Sequence, residues 1–557
     1  AAALLQTSES NNETILTSAN LAYTILPGLS FRTSVGYSKI GLQQQAFKPL
    51  LSQHPMYNFP NSAAFGNSTT SSIIVEPQLH YTRPVGSLNV TALAGGTWQK
   101  SNQQGTYIKA INYSNELLFE SLNAAAGLEY VQNSFSDYKY ASLFGRLQLE
   151  ARQKYLLTAS IRRDGSSRFG PQRQWGNFGA VGGGWIFSGE KWVGDHLPWL
   201  SYGKLRGSWG TIGNDQIENY GYLPAYNTHQ PYGGMATLRP ARIANPLYSW
   251  ESTTKWEAAL ELGFWNNRLL LNGAFYRHRS SNQLVQHPLP SQTGFNTYQA
   301  NLPALVQNRG WELELRGDAI RAGDFRWQVT ANLTLPQTRL LSFPGLEATA
   351  YASRLVVGED ISLERGFLFL GVDPQDGMPL FEDVDKDGVL NTSDYVVLGS
   401  TSPRAFGGLG HTFSYKGFRV DLFFQGVHQM AKTGNLNPGR GIGNRLNVVL
   451  DRWTAPGQVT DIPRASASAA HPAYAANNRL GASSATFKDA SYIRFKNLSL
   501  SYQLPSLTNI RWQQARLYLN AQNLWTHTSG TRLDPELLIG DGVPPLQTWV
   551  GGIQITF

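Results

Sequence analysis

Three carboxylates within five residues, Asp383-Val384-Asp385-Lys386-Asp387, followed by Gly388, are the residues of this chain best spaced for chemistry. Carboxylates at loop positions 1, 3 and 5, a glycine at 6 for the sharp turn and a backbone carbonyl at 7 form the ligand order of a Ca2+ loop. Position 7 is Val389, and position 12 is Asp394 where a longer Glu is usual. The spacing therefore predicts Ca2+ held by Asp383, Asp385, Asp387, the Val389 carbonyl and Asp394. The plainer alternative is a solvated loop of Asx turns without metal. Other chemistry finds little footing. The 10 histidines show no zinc spacing, and neither a nucleophile elbow nor a P-loop occurs. Gly439-Arg440-Gly441-Ile442-Gly443 lies between no strand and helix and reads as a mobile loop. Glu312 and Glu314 share one strand face, which wall polarity explains without the converging carboxylates a glycosidase needs. No enzyme is expected, and cysteine is absent.

Aromatic side chains form a second candidate set. Tyr220, Tyr222, Tyr226, Tyr232 and Trp250 cluster in residues 213–251, and Trp453 and Tyr474 lie in 429–487. Stacking on the faces of sugars is the functional expectation; packing within the loops is the alternative.

These residues sit between segments that alternate with period two. In Phe325–Leu335 the odd positions are apolar (Phe325, Trp327, Val329, Ala331, Leu333, Leu335) and the even ones polar. Lys255–Phe264, Trp311–Arg316 and Phe418–Gln425 repeat the pattern. Runs of about 10–14 residues suffice to cross a bilayer at a tilt of about 45°, whereas sandwich strands average about 5–6. The pattern predicts an all-β, antiparallel transmembrane β-barrel.

Composition agrees. Charged residues make up 15% of the 557, against about 25% in soluble globular domains. Aromatics reach 12%, yet mean hydropathy is −0.29 and no run of about 18 apolar residues exists. Barrel strands average to neutral hydropathy because lipid-facing and lumen-facing residues alternate. The net charge of +8 is scattered without a basic run, so nucleic acid is not an expected partner.

Connections fall into two alternating classes. The short ones are Leu26–Gly28, Arg83–Gly86, Arg152-Gln153, Asn266-Asn267, Arg321–Gly323 and Lys416-Gly417. The long ones are 41–70, 100–137, 213–251, 281–305, 340–404 and 429–487. Short periplasmic turns and long extracellular loops are the barrel arrangement. The count is about 17 strands of a barrel of about 22, with Ser121–Gln132 placed in a loop hairpin to preserve parity. The start, Ala1-Ala2-Ala3-Leu4-Leu5, lacks a charged leader region. The whole of 1–557 is therefore expected to be one barrel domain without its leader or plug. Its final strand, ending at Phe557, would then stand at the edge of an open sheet.

Several segments carry a resemblance. Ser142–Arg146 with Lys154–Gly170 (KYLLTASIRRDGSSRFG), Phe381–Gly388 with Tyr415–Phe418, Ala490–Tyr502 (ASYIRFKNLSLSY), Gln522-Asn523-Leu524 and Asp534-Pro535-Glu536 follow in the order seen in SusC/RagA-like TonB-dependent receptors. The resemblance implies active import of oligosaccharides or peptides across a Bacteroidota-type outer membrane. It also implies a SusD-like surface lipoprotein as partner and energy coupling through TonB. A passive porin-like channel and a soluble β-sandwich adhesin are the alternatives.

Overall fold

A computed structural model describes residues 2–432, 447–505, 514–528, 534–537 and 544–556. The Gly439–Gly443 run and Phe557 lie outside them. No helix among the described residues is long and apolar enough to cross a membrane, which leaves crossing by strands untouched.

Seventeen strands belong to one large antiparallel sheet. In chain order they are β1 (Thr7–Leu26), β2 (Leu29–Lys48), β3 (Ser62–Val85), β4 (Leu88–Tyr113), β5 (Ala125–Ala151), β6 (Tyr155–Ser166), β7 (Trp175–Trp185), β8 (Leu200–Asn214) and β9 (Glu251–Phe264). There follow β10 (Leu269–Ser281), β11 (Leu305–Ala322), β12 (Phe325–Ser342), β13 (Ala405–Tyr415), β14 (Phe418–His428), β15 (Tyr492–Leu504), β16 (Gln514–Thr528) and β17 (Thr548–Thr556). The strand number expected from sequence is met.

The short connections are tight because their residues accept positive φ. Arg152 and Gln153 adopt φ +52° and +56°, Asn266 and Asn267 +57° and +60°, and Lys416-Gly417 +43° and +90°. Two successive positive-φ residues match the right-handed twist of the strands they join. At Gly28 (φ +87°) a Cβ would also fall 2.5 Å from the Thr82 carbonyl oxygen, so a side chain is excluded twice over.

Two compact units divide the chain, and each can be described on its own. The first comprises residues 1–183, 209–254 and 282–302. Here β1 to β6 pair in sequence, and several ladders run far past a bilayer's thickness: β3, β4 and β5 have 24, 26 and 27 residues. The expected loops 41–70 and 100–137 are thus mostly ladder, paired out to Lys48↔Ser62 and Tyr113↔Ala125. Ser121–Gln132 is likewise no separate hairpin; its residues from Ala125 onward extend β5. Beyond lipid the apolar face is no longer required, so the sequence turns polar (Gln43-Gln44-Gln45, Gln103-Gln104) while the backbone keeps its hydrogen bonds. Periodicity tracks the solvent; the ladder does not.

Register sets one apolar face across each unit. In the first, Ala19, Val35, Val75, Trp98 and Ala141 stand in one row. In the second unit (184–208, 255–281 and 303–557), Leu315, Ala331, Leu409, Phe424, Phe495 and Trp525 do so. One residue along the strands, Glu314, Asn332, Gly408, Gln425, Arg494 and Thr526 line the opposite face. A one-residue slip would exchange these faces, so register is strongly specified. The apolar faces are open: Leu143 and Ile161 are each 70% exposed and Trp311 53%. A soluble sandwich would bury them, which removes that alternative. Aromatic contacts run across the same face, as in Trp256–Phe275–Trp311 and Trp327–Phe413.

Candidate functional site

The acidic loop is presented by the long connection between β12 and β13. A small hydrophobic cluster grips it from both sides. Phe381, immediately before the loop, packs with Phe367, Leu480 and Ala485, and Leu390 and Tyr395 from beyond the carboxylates close on the same cluster. The loop then folds on its own carboxylates. Gly388 N–H donates to Asp383 Oδ2 (2.8 Å), Asp387 N–H to Asp385 Oδ1 (3.3 Å) and Val389 N–H to Asp387 Oδ1 (2.7 Å). Lys386 and Gly388 supply positive φ, +59° and +82°.

This fold-back brings one carboxylate oxygen each from Asp383, Asp385 and Asp387 within 4.8 Å of one another. Asp383 Oδ1 is buried and accepts no hydrogen bond, although buried carboxylate oxygens normally have partners. Like charges this close repel. Desolvation, with the charges of Asp387, Asp394 and Asp383 added, raises the Asp385 carboxyl above its usual range. An unpartnered oxygen among hard oxygen donors is what a Ca2+ ion satisfies, and the residues fit that ion.

Asp394, expected at position 12, has a different principal task. It is fully buried, and its two oxygens accept the N–H groups of Val384 (2.8 Å) and Asn391 (2.9 Å), completing a capping box at residues 391–394. The backbone N–H of Asn391 is the main reason its carboxyl is held below the usual range. The Val389 carbonyl accepts Asn391 Nδ2 at 3.0 Å. Among the five residues expected to ligate, then, Asp383, Asp385 and Asp387 converge, while Asp394 ties the loop's two ends together.

The aromatic set divides. Trp250 is buried with Phe169 and Tyr248, Tyr222 packs against that cluster, and Trp250 Nε1 donates to the Gln174 carbonyl (2.9 Å). Burial, with Glu218 and Glu251 nearby, pushes the Tyr248 hydroxyl up to about 12. Tyr220 (φ +62°) accepts the Asp137 N–H on its hydroxyl (2.8 Å) and Arg242 Nη2 on its carbonyl (2.9 Å). Trp453 is buried, donates to the Pro374 carbonyl (3.0 Å), lies against Gly377 and carries Arg464 over its ring at 5.4 Å. Trp250 and Trp453 therefore have no free face for a sugar: large rings in long loops nucleate the loops' own cores. Tyr226 and Tyr232 are exposed on the hairpin Ala225–Tyr232 with Met235–Arg242. Tyr474 is half-buried on the helix Pro472–Leu480.

Two polar assemblies escape the spacing argument. Arg494, 1% exposed, donates through Nη2 to both oxygens of Asp534 (2.8 and 2.7 Å) and through Nη1 to Glu536 (3.0 Å). Tyr492 donates its hydroxyl to Glu536 (3.0 Å). In the first unit, Asp215 Oδ2 accepts Tyr138 Oη and Ser166 Oγ, both at 2.8 Å, while Arg168 reaches the Asp215 carbonyl (2.8 Å) and Asn219 (2.9 Å). Partners 40 or more residues apart leave no spacing signature, although several of these residues stand in the segments that carried the family resemblance.

Comparison with known proteins adds the remaining finding. The family model described as "TonB dependent receptor-like, beta-barrel" matches residues 3–524. TonB-dependent receptor P26 of Formosa agariphila is 30% identical over 499 residues, covering 83% of this chain and 49% of that protein. TonB-dependent receptor SusC of Bacteroides thetaiotaomicron is 25% identical over 447 residues, 75% of this chain and 43% of that one. A chain of the RagAB peptide transporter superposes with a TM-score of 0.88 at 22% identity, over 100% of this chain and 63% of that one, and so shares the fold. This chain spans about half the length of the curated relatives it matches.

Proposed function

The chain belongs to the TonB-dependent receptor-like β-barrel family, and from that membership we propose that it forms the wall of an outer-membrane importer of oligosaccharides or peptides. Such an importer works with a SusD-like surface lipoprotein and draws energy through TonB. The observation that carries the reading is the two-faced ladder. An apolar row continuous over six strands suits lipid, and the polar row one residue away suits a wet interior. Its relatives are receptors and transporters, which favours passage over catalysis.

Within that reading Tyr226 and Tyr232 are the aromatic residues placed to meet cargo. Ca2+ bound by Asp383, Asp385 and Asp387 stiffens the separate connection between β12 and β13, neutralising a cluster of carboxylates that otherwise repels itself. Uptake of fluorescent oligosaccharides and peptides by cells carrying the protein as it naturally occurs tests the proposal. Entry should vanish on deletion of its gene and on collapse of the proton gradient. Entry that survives loss of the gradient means passive diffusion and supports the porin-like alternative. Purification from native membranes should bring down a surface lipoprotein.

A further inference from the structure

The apolar face of the second unit is not uniformly filled. Near the long-connection ends of β13, β14 and β15 it is indented by a groove of about 640 Å3, within the range of roughly 300–1,000 Å3 typical of small-molecule sites. Register explains the indentation. Leu333 pairs with Gly407, Gly407 with Gly426, Gly426 with Ile493 and Ile493 with His527, so two glycines sit side by side between bulky neighbours. One rung on, Leu409 and Phe424 wall the groove, and the Phe424 ring stacks on Phe495 at 4.7 Å. One rung the other way, Ala405 pairs with His428, whose Nδ1 lies 2.8 Å from Ser491 Oγ.

We propose that this groove binds one acyl chain of a phosphorylated outer-leaflet lipid, its phosphate meeting His428 and His527 at the rim. The proposal rests on the outer-membrane reading, since only there does lipid reach this face. Three features select the ligand. The groove belongs to the same apolar face as the rows that suit hydrocarbon. It narrows the wall where glycine replaces a side chain, so a chain lying there gains contact on three sides. Both histidines stand exposed at the end where the strands pass into the long connections, at the level of headgroups. Among the described residues lining the groove the one acidic group is Asp489, which has an oxygen engaged by the Ser491 N–H at 2.8 Å. Hydrocarbon in the trough and a phosphate accepting hydrogen bonds from imidazole N–H groups at the rim is therefore the complementary arrangement.

The test uses the natural protein purified into nanodiscs containing a diazirine-acyl phosphatidylglycerol, with labelled peptides mapped after irradiation. Labels are expected to concentrate on residues 405–409, 424–428 and 491–493. The variant Gly426→Trp fills the groove; a Cβ there meets nothing within 4 Å, so the strand can fold around it. It should reduce labelling of this region about tenfold while labelling at Val329 persists. The double variant His428→Gln/His527→Gln should reduce labelling by phosphatidylglycerol and leave that by a phosphate-free diacylglycerol unchanged. Even labelling of the whole apolar face, indifferent to Gly426→Trp, would overturn the groove while sparing the membrane reading. Equal labelling by both probes in the unaltered protein overturns the phosphate contact, and crosslinks to a second copy of the chain overturn the lipid. Labelling of no strand at all would instead sink the membrane reading itself.

Discussion

Asp383 Oδ1, buried and without a hydrogen-bond partner, sharpens what the DxDxDG spacing suggests. Asp383→Asn should weaken calcium binding at least about tenfold, as read by calorimetric titration; unchanged binding would place the ion elsewhere. The two shifted carboxyls make the pH response specific. Asp394 is held below its usual value of 3.8, so its capping contribution is present above that value and is lost as pH falls through its lowered pKa. Asp385 is raised, so its charge strains the loop at neutral pH and the strain is relieved as pH falls through its raised pKa. On acidification protons should displace calcium while the loop remains folded, and the loop should open only below 3.8. Circular dichroism of aromatic bands beside calcium titration at each pH would separate the two steps. Arg494 sets a further expectation. Asp534→Ala leaves a guanidinium that is 1% exposed with Glu536 as its remaining carboxylate partner among the described residues, and removing one partner of a buried pair costs about 3–5 kcal/mol. Denaturant unfolding should show a loss near the lower figure, because Glu536 stays; a loss under about 1 kcal/mol would mean water has replaced the carboxylate.

At the scale of the strand, register carries the argument. Val329 pairs with His411 in the apolar row and Thr330 with Gly410 in the polar one. Arginine at Val329 should cost about 2–4 kcal/mol near the bilayer midplane, and arginine at Thr330 little. Cysteines at these positions should react with lipid-soluble and water-soluble probes respectively; the reverse pattern would shift β12 by one residue. The long ladders give a second expectation. Residues 100–111 should resist hydrogen exchange like the membrane part of β4, since β3 and β5 flank them on both sides, and within 125–137 the residues whose N–H groups face β4 should do the same. Fast exchange there would restore the loop that polarity alone implies. Sequence shows where a strand is amphipathic, and amphipathicity ends where lipid ends, so the outer thirds of β2 to β5 were hidden behind their glutamines and serines.

For the whole molecule, the class of fold was legible because the bilayer imposes a rule on every strand. Period-two alternation, few charges, abundant aromatics and alternating short and long connections all express it, and the seventeen strands and six tight turns fell where that rule put them. The family resemblance was legible too, and the family model matches residues 3–524. The DxDxDG residues were legible as possible ligands because their spacing is local.

What the tertiary structure decided were the matters that depend on residues far apart in sequence. It made Trp250 and Trp453 the cores of their own connections, because a large ring is most stable where neighbouring segments can cover it, and no local pattern says which segments those are. It gave Asp394 to the backbone at Val384 and Asn391 rather than wholly to an ion. It joined Arg494 to Asp534 across 40 residues, and it set Gly407 beside Gly426 to hollow the apolar face. Periodicity reports the solvent each strand meets; which side chains meet one another is decided by the register and by the closing of the loops.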